Sequence, residues 1–114
     1  MAIERLVEGW TQRLIFQLKK WDTVTEDWIP IPAVEINGTT VTLIMRDKDG
    51  VAITIAGTVG WLSTDNATVY FDPDDEDLQA ADSPIAVHWK IHDTSHKDVF
   101  IPKGEGDVWI VSAQ

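Results

Sequence analysis

Residues 39–55, TTVTLIMRDKDGVAITI, decide the fold that the sequence predicts. Apolar side chains occupy every second position on both sides of a turn: Val41, Leu43 and Met45 come before it, and Val51, Ile53 and Ile55 come after it. A period of two places one set of side chains on one face of a strand. Between the two runs, Asp49-Gly50 is a dipeptide that tolerates the positive φ of a tight hairpin turn. The stretch therefore predicts a β-hairpin with one buried face.

Composition limits the classes of protein to which the chain can belong. Its 114 residues, 44% of them hydrophobic, suffice for one domain with a buried core. The absence of cysteine excludes disulfides, thiolate metal sites and a cysteine nucleophile. Because Glu4 and Arg5 interrupt the N-terminus and no apolar run has membrane-spanning length, we expect a soluble protein without a signal peptide.

The chain is strongly acidic, with a net charge of −10. An acidic surface repels a phosphate backbone, which disfavours a nucleic-acid partner. The acidity is explained either by solubility or by complementarity to a basic surface on a protein partner.

The rest of the chain repeats the strand pattern. Further strands are predicted at residues 14–18, 68–71, 85–91, 99–102 and 108–111. Trp21 and Trp28 bracket a polar loop or a wide hairpin, and the prolines after it indicate an edge strand or an extended crossover. Seven or eight short strands joined by tight turns predict an all-β fold, an antiparallel two-sheet sandwich.

One segment interrupts this pattern and predicts a short helix near residues 73–81. Asp72 is a good N-cap, and Pro73 suits the first helical position. Acidic residues then fill the first turn, where the helix dipole favours negative charge, and Pro84 follows the end. The acidic run at residues 72–77 is therefore interpreted as solvated rather than catalytic.

Residues 1–12 are predicted to form an N-terminal arm or a short amphipathic helix that precedes a single sandwich domain, residues 13–114. The apolar residues of this segment have the i, i+3, i+4, i+7 spacing of a helical stripe: Ile3, Leu6, Val7 and Trp10. So short a helix needs a surface to pack on, which is either the domain's own core or a neighbouring subunit.

No constellation of residues predicts catalysis or metal binding. His88, His92 and His96 recur every four residues, but the alternation around them predicts a strand, which removes the alignment that a helix would give. The hairpin turn Asp-Lys-Asp-Gly resembles the start of a calcium loop but lacks the glutamate needed at the twelfth position. We expect no enzyme activity, no cofactor and no metal.

Six tryptophans are many for a chain of this length. Those within strand patterns are expected in the core: Trp61, Trp89 and Trp109. The candidate residues for a protein interface are Trp10, Trp21, Trp28, Ile29, Pro30, Ile31 and Pro32. Large amphipathic rings outside the strands are typical interface anchors. Packing of these segments on their own sheet is equally open, and a platform for stacking sugars is a third interpretation.

The order of these elements resembles a known family. The motifs are the apolar strand at 14–18, IPI at 29–31, NGTTVTL at 37–43, MRDKDG at 45–50, VYF at 69–71, VHWKI at 87–91, FIP at 100–102 and the closing strand at 108–111. Over residues 11–112 this order resembles the immunoglobulin-like N-terminal domain of the phage baseplate upper protein family and related small phage virion proteins. Two departures are Ser83-Pro84-Ile85, where relatives commonly have Gly-Thr-Tyr, and the end at Gln114, where family members often continue.

The resemblance implies an immunoglobulin-like antiparallel β-sandwich in a non-enzymatic bacteriophage virion structural protein. It implies a small adaptor or decoration subunit of the tail, baseplate, neck or head, synthesised in the host cytoplasm and located in the virion. Its partners would be other virion structural proteins and copies of itself in a homo-oligomer, with no nucleic acid and no membrane. The alternative is a free carbohydrate- or protein-binding β-sandwich module, because fold does not fix function.

Overall fold

The computed structural model describes residues 3–93 and 98–114, in which strands dominate. The strands are β1 (Ile3–Val7), β2 (Leu14–Gln17), β3 (Lys19–Asp22), β4 (Asp27–Pro30), β5 (Thr40–Arg46), β6 (Thr58–Ser63), β7 (Thr68–Asp72), β8 (Ile85–His92), β9 (Val99–Ile101) and β10 (Asp107–Ser112). One helical turn, α1 (Ala33–Ile36), and a 3-10 helix, Ala80–Asp82, lie between them. The predicted all-β fold is confirmed, although the described residues form ten strands where seven or eight were predicted.

A five-stranded sheet forms one layer of the molecule. Its strands follow the order β1-β10-β8-β5, and β9 pairs with the part of β8 that follows the β10 contact. β1 and β10 are parallel, so the predicted antiparallel pairing is wrong for these two strands, whereas the other pairs of this sheet are antiparallel as predicted. β5 pairs with β8 along its whole length, and both strands point alternate side chains into the core.

A three-stranded sheet, in the order β2-β7-β6, forms the second layer. The centroid of its Phe16 ring lies 5.4 Å from that of Trp109 and 5.8 Å from that of Trp89, both in the large sheet. Phe71, which is fully buried, stacks on Trp109 at 6.0 Å. These contacts close a core between two sheets and confirm the core positions of Trp89 and Trp109, while Trp61 packs against the core half-buried. The immunoglobulin-like arrangement of the strands stays a prediction.

The hairpin predicted at residues 39–55 is confirmed in its first strand and turn but not in its second strand. Gly50 has a φ of +81° and donates its N–H to the carbonyl of Asp47 at 2.9 Å. Beyond the turn, residues 51–55 form a bridge at Ala52 and no strand, and Val51 is exposed. The chain crosses here toward β6 of the small sheet, so the two isoleucines of this segment pack on the core without extending the large sheet.

The N-terminal segment is a strand, and the short helix considered for residues 1–12 is wrong. β1 pairs with β10 from Ile3 opposite Val108 to Val7 opposite Ser112. Leu6 is buried, whereas Ile3 and Val7 are exposed. Backbone pairing with the last strand of the chain outweighs the local helical spacing, as tertiary context commonly outweighs local preference.

The helix predicted near residues 73–81 is also wrong, apart from the 3-10 turn Ala80–Asp82. Asp72 is the last residue of β7 rather than an N-cap. Asp77 is 3% exposed, so one member of the acidic run is buried rather than solvated. Its carboxylate accepts three backbone N–H groups at 2.8 Å, those of Ala56, Gly57 and Asp74. These bonds hold residues 74–77 in a turn and replace the expected helical hydrogen bonds.

Candidate functional site

The candidate site is centred on two exposed tryptophans that face each other across a hairpin. β3 and β4 form a two-stranded sheet in which Trp21 lies opposite Trp28. The ring centroids are 5.7 Å apart and the planes meet at 73°, an edge-to-face contact. Trp21 is 49% exposed and Trp28 is 58% exposed. The hairpin therefore presents apolar ring surface to solvent, which is uncommon for side chains of this size.

The turn between the two strands is organised by Asp22. Its carboxylate accepts the hydroxyl of Thr25 at 2.8 Å and the backbone N–H of Val24 at 3.3 Å. These hydrogen bonds lower the pKa of Asp22 below its ordinary value, and the bond from the Thr25 hydroxyl has the largest effect. Glu26 completes the turn with a φ of +53°. A side chain that binds its own turn in this way fixes the register that brings the two rings together.

Two grooves meet at Trp28 and Pro102. The first has a volume of about 440 Å³ and runs toward Glu4 and Asp107 at the starts of β1 and β10. The second, here named the tryptophan groove, has a volume of about 450 Å³ and is lined by Lys19, Lys20, Trp21, Trp28, Pro102 and Lys103. Volumes of this size are typical of pockets for small ligands or for a few side chains of a partner.

The tryptophan groove is locally positive on an acidic chain. Its rim carries three lysines and Glu105. Lys20 donates to Glu35 at 2.7 Å, an ion pair between partly exposed groups. Lys19 and Lys103 form no ion pair within residues 3–93 and 98–114. Lys19 and Lys103 leave the rim with an excess of positive charge even when Glu105 is counted, and this excess beside two indoles favours an anionic or dipolar partner.

The remaining sequence-predicted interface residues do not join this surface equally. Ile29 is half-buried and Pro30 is exposed, whereas Ile31 is 6% exposed and belongs to the core. Pro32 is half-buried and directly precedes α1. Of the predicted set, the exposed side chains that line the grooves are therefore the two hairpin tryptophans.

Trp10 lies away from the tryptophan groove. Its side chain is half-buried against the core, and its indole Nε1–H donates to the carbonyl of Gln12 at 2.9 Å. It follows the end of β1, whose last residue pairs with Ser112, whereas the first groove, which meets the tryptophan groove at Trp28 and Pro102, approaches the start of that strand. Packing on its own domain is therefore the better interpretation for Trp10.

Sequence reasoning missed the contribution of the segment after β9. Pro102 and Lys103 reach the groove because β9 pairs with the second half of β8, with Ile101 opposite Trp89. No local signal marks these residues as neighbours of a hairpin that lies some eighty positions earlier in the sequence.

The histidines make separate local contacts. His88 donates Nε2–H to the carbonyl of Gly104 at 2.9 Å, since a carbonyl oxygen only accepts. His92 contacts the carboxylate of Asp98 at 2.5 Å and lowers its pKa below the ordinary value. His96 lies outside the described residues. Within residues 3–93 and 98–114, no group of three or more histidine or acidic side chains is placed to hold a metal ion.

No helix in the described part of the chain has the length and apolar character needed to cross a membrane. Comparison with known proteins gave no match to this chain, either among family models or among curated protein sequences.

Proposed function

We propose that this protein is a non-enzymatic structural protein of a bacteriophage virion. It acts as a small adaptor or decoration subunit of the tail, baseplate, neck or head, and it docks through the tryptophan groove. The order of motifs described above supports the phage assignment. The exposed edge-to-face pair of Trp21 and Trp28 beside a groove carries the docking assignment.

The two rings can anchor a protein contact of moderate strength. A tryptophan side chain offers roughly 200 Å² of surface, and about half of it is still exposed at each of these positions. At roughly 25 cal/mol per Å², covering both rings contributes about 5 kcal/mol. Loss of translational and rotational freedom costs a comparable amount, estimated at about 4–15 kcal/mol. A single copy therefore binds weakly, and many copies on a symmetric particle gain stability through avidity.

Mass spectrometry of purified particles tests the location, since a virion subunit is expected there in stoichiometric amount. The docking surface is tested by incorporation of tagged variants into particles. Trp21→Ala combined with Trp28→Ala should reduce incorporation at least tenfold, because interface tryptophans commonly contribute more than about 2 kcal/mol.

Ile15→Ala is the matched control, because Ile15 is a large apolar residue, 55% exposed, in β2 of the other sheet. Equal incorporation of the double variant and the control would refute the docking assignment. Complete absence of the protein from particles would refute the virion assignment.

A free carbohydrate-binding module is the second candidate. The observation that favours it is the combination of two exposed indoles with lysine and glutamate side chains around a groove of about 450 Å³, since sugars stack on rings and bond to polar rims. Titration of tryptophan fluorescence with neutral and acidic oligosaccharides distinguishes the two functions. Saturable quenching that Trp28→Ala abolishes supports the module, and unchanged fluorescence supports the structural protein.

A further inference from the structure

The charges at the two ends of the β1/β10 strand pair suggest what occupies the groove. Resting on the proposed docking function, we propose that the tryptophan groove of one copy receives the acidic turn, Asp74, Asp75 and Glu76, of a second copy. The protein then assembles head to tail with itself.

The first argument is charge complementarity within one sequence. The three residues of the acidic turn are exposed and form no ion pair with any described residue. Lys19 and Lys103 of the groove likewise form no ion pair with any described residue. A contact between copies would supply both sets with opposite charges, and such complementarity fixes both partner and register.

The second argument is that the acidic turn is held in one shape before binding. The buried carboxylate of Asp77 binds the N–H of Asp74 within the turn and those of Ala56 and Gly57 outside it. A preformed turn loses little conformational freedom on docking, which favours association. The hydrogen bond between the carboxyls of Asp74 and Asp75 raises the pKa of Asp75, a crowding of acids that a neighbouring ammonium group would relieve.

The third argument is position. The first groove, which shares Trp28 and Pro102 with the tryptophan groove, reaches the start of β1 and β10 at Glu4 and Asp107. The acidic turn lies beyond the other end of the same pair, where Gly9 donates its N–H to the carbonyl of Leu78 at 3.1 Å. The two surfaces differ and lie at opposite ends, so contact between them is heterologous, and repetition produces a ring or an open chain of copies.

Net charge opposes this assembly only at long range. Two chains with a formal charge of −10 repel each other, but at about 0.15 M salt charges are screened beyond roughly 8 Å. The lysine–carboxylate pairs within the groove are closer than this and partly shielded from ions. Association is therefore measured at that salt concentration.

The test uses two charge reversals at exposed positions, Lys103→Glu in the groove and Asp75→Lys in the acidic turn. Sedimentation should show that the wild type forms assemblies of three or more copies as concentration rises. Each variant alone should associate at least tenfold more weakly, because each contact then brings like charges together. Mixed in equal amounts, the variants should regain assemblies of three or more copies in which they alternate, since both contacts between unlike variants pair opposite charges: the native turn with the native groove, and the reversed turn with the reversed groove.

Matched controls are Lys48→Glu and Asp65→Lys, which make the same charge changes at exposed positions outside the groove and the acidic turn. They should assemble like the wild type. The inference is overturned if the wild type is monomeric, if the two test variants assemble like their controls, or if the mixture remains monomeric.

These outcomes are separable from the proposed function. Incorporation into particles that depends on Trp21 and Trp28 but not on Asp75 would assign the groove to another virion protein and overturn only the self-assembly. Loss of tryptophan dependence in particles with intact self-assembly would overturn only the proposed virion docking.

Discussion

Replacement of Asp77 should destabilise the protein more than replacement of any exposed acid in the same turn. The carboxylate is 3% exposed and accepts three backbone N–H groups at 2.8 Å. Asp77→Ala leaves these donors without their acceptor, and a donor left unpaired costs about 1–3 kcal/mol when it is fully buried and less at partly exposed backbone such as that of Ala56 and Asp74. Since the turn can relax and admit water, we expect a total loss of about 3 kcal/mol, which is a large fraction of the roughly 5–15 kcal/mol of a typical domain.

Urea unfolding followed by tryptophan fluorescence measures this loss. With a slope of about 2 kcal/mol per molar urea, the Asp77→Ala midpoint should fall by about 1.5 M. Asp77→Asn should lie between wild type and Asp77→Ala, because its one carbonyl oxygen can still accept two of the three bonds while its amide faces the third donor. The slope should stay unchanged if the same surface is exposed on unfolding.

Asp75→Asn is the control, because Asp75 is an exposed acid two residues away. Its effect should stay within about 0.5 kcal/mol, as is usual for surface substitutions. The reasoning fails if Asp77→Ala and Asp75→Asn have the same midpoint, or if Asp77→Asn is as unstable as Asp77→Ala.

Two further predictions concern the surroundings of this turn. Gly57→Ala should lower the urea midpoint by more than Gly38→Ala, because a Cβ at Gly57 would collide with the backbone carbonyl of Asp72. A Cβ at Gly38 would meet open space, so the only cost there is the positive φ of that residue. Equal urea midpoints for the two variants would contradict this prediction. Arg13 donates a bidentate hydrogen bond to Asp72 at 2.7 and 2.8 Å, which lowers the pKa of the Asp72 carboxyl in the folded protein. The stabilisation from this ion pair should be complete above the pKa of about 4 that Asp72 has in the unfolded chain. It should disappear as the pH falls through the lower pKa of the folded protein. The difference in midpoint between wild type and Arg13→Gln should thus be constant from about pH 7 to 5 and should narrow below that, and a difference that widens in acid would be inconsistent with this sign.

Strands that bury every second side chain were predictable because this alternation is a local pattern in the sequence. In β5 and β8, every second side chain is buried, and that alternation is visible in the sequence without knowledge of the partner. The turn at Gly50 was predictable for the same reason, because its positive φ is a property of one residue.

Elements fixed by distant contacts were not predictable from the sequence. Residues 1–12 have helical spacing, yet β1 exists because the backbone of β10 is there to pair with it. The acidic run has every local feature of a helix start, yet Asp77 finds its hydrogen-bond partners at Ala56 and Gly57, about twenty residues earlier. In both segments, tertiary hydrogen bonds outweigh preferences worth less than about 1 kcal/mol per residue.

The candidate site was predictable in its aromatic half. Two tryptophans bracketing a polar loop or a wide hairpin predicted Trp21 and Trp28 as interface candidates. The sequence predicted neither their contact with each other nor the position of Pro102 and Lys103 beside them. A groove formed by segments far apart in sequence depends on the topology of β8 and β9, which no local pattern specifies.

The hairpin that carries the rings is attached to the core at its base, which separates binding from folding. Leu18 and Ile31 flank the two strands, both are buried, and Ile31 donates its N–H to the carbonyl of Leu18 at 3.1 Å. An isolated two-stranded hairpin is marginal in water, so these two side chains and that bond hold β3 and β4 in place. Trp21 and Trp28 can therefore remain half-exposed without weakening the core, and the surface they present is available for a partner.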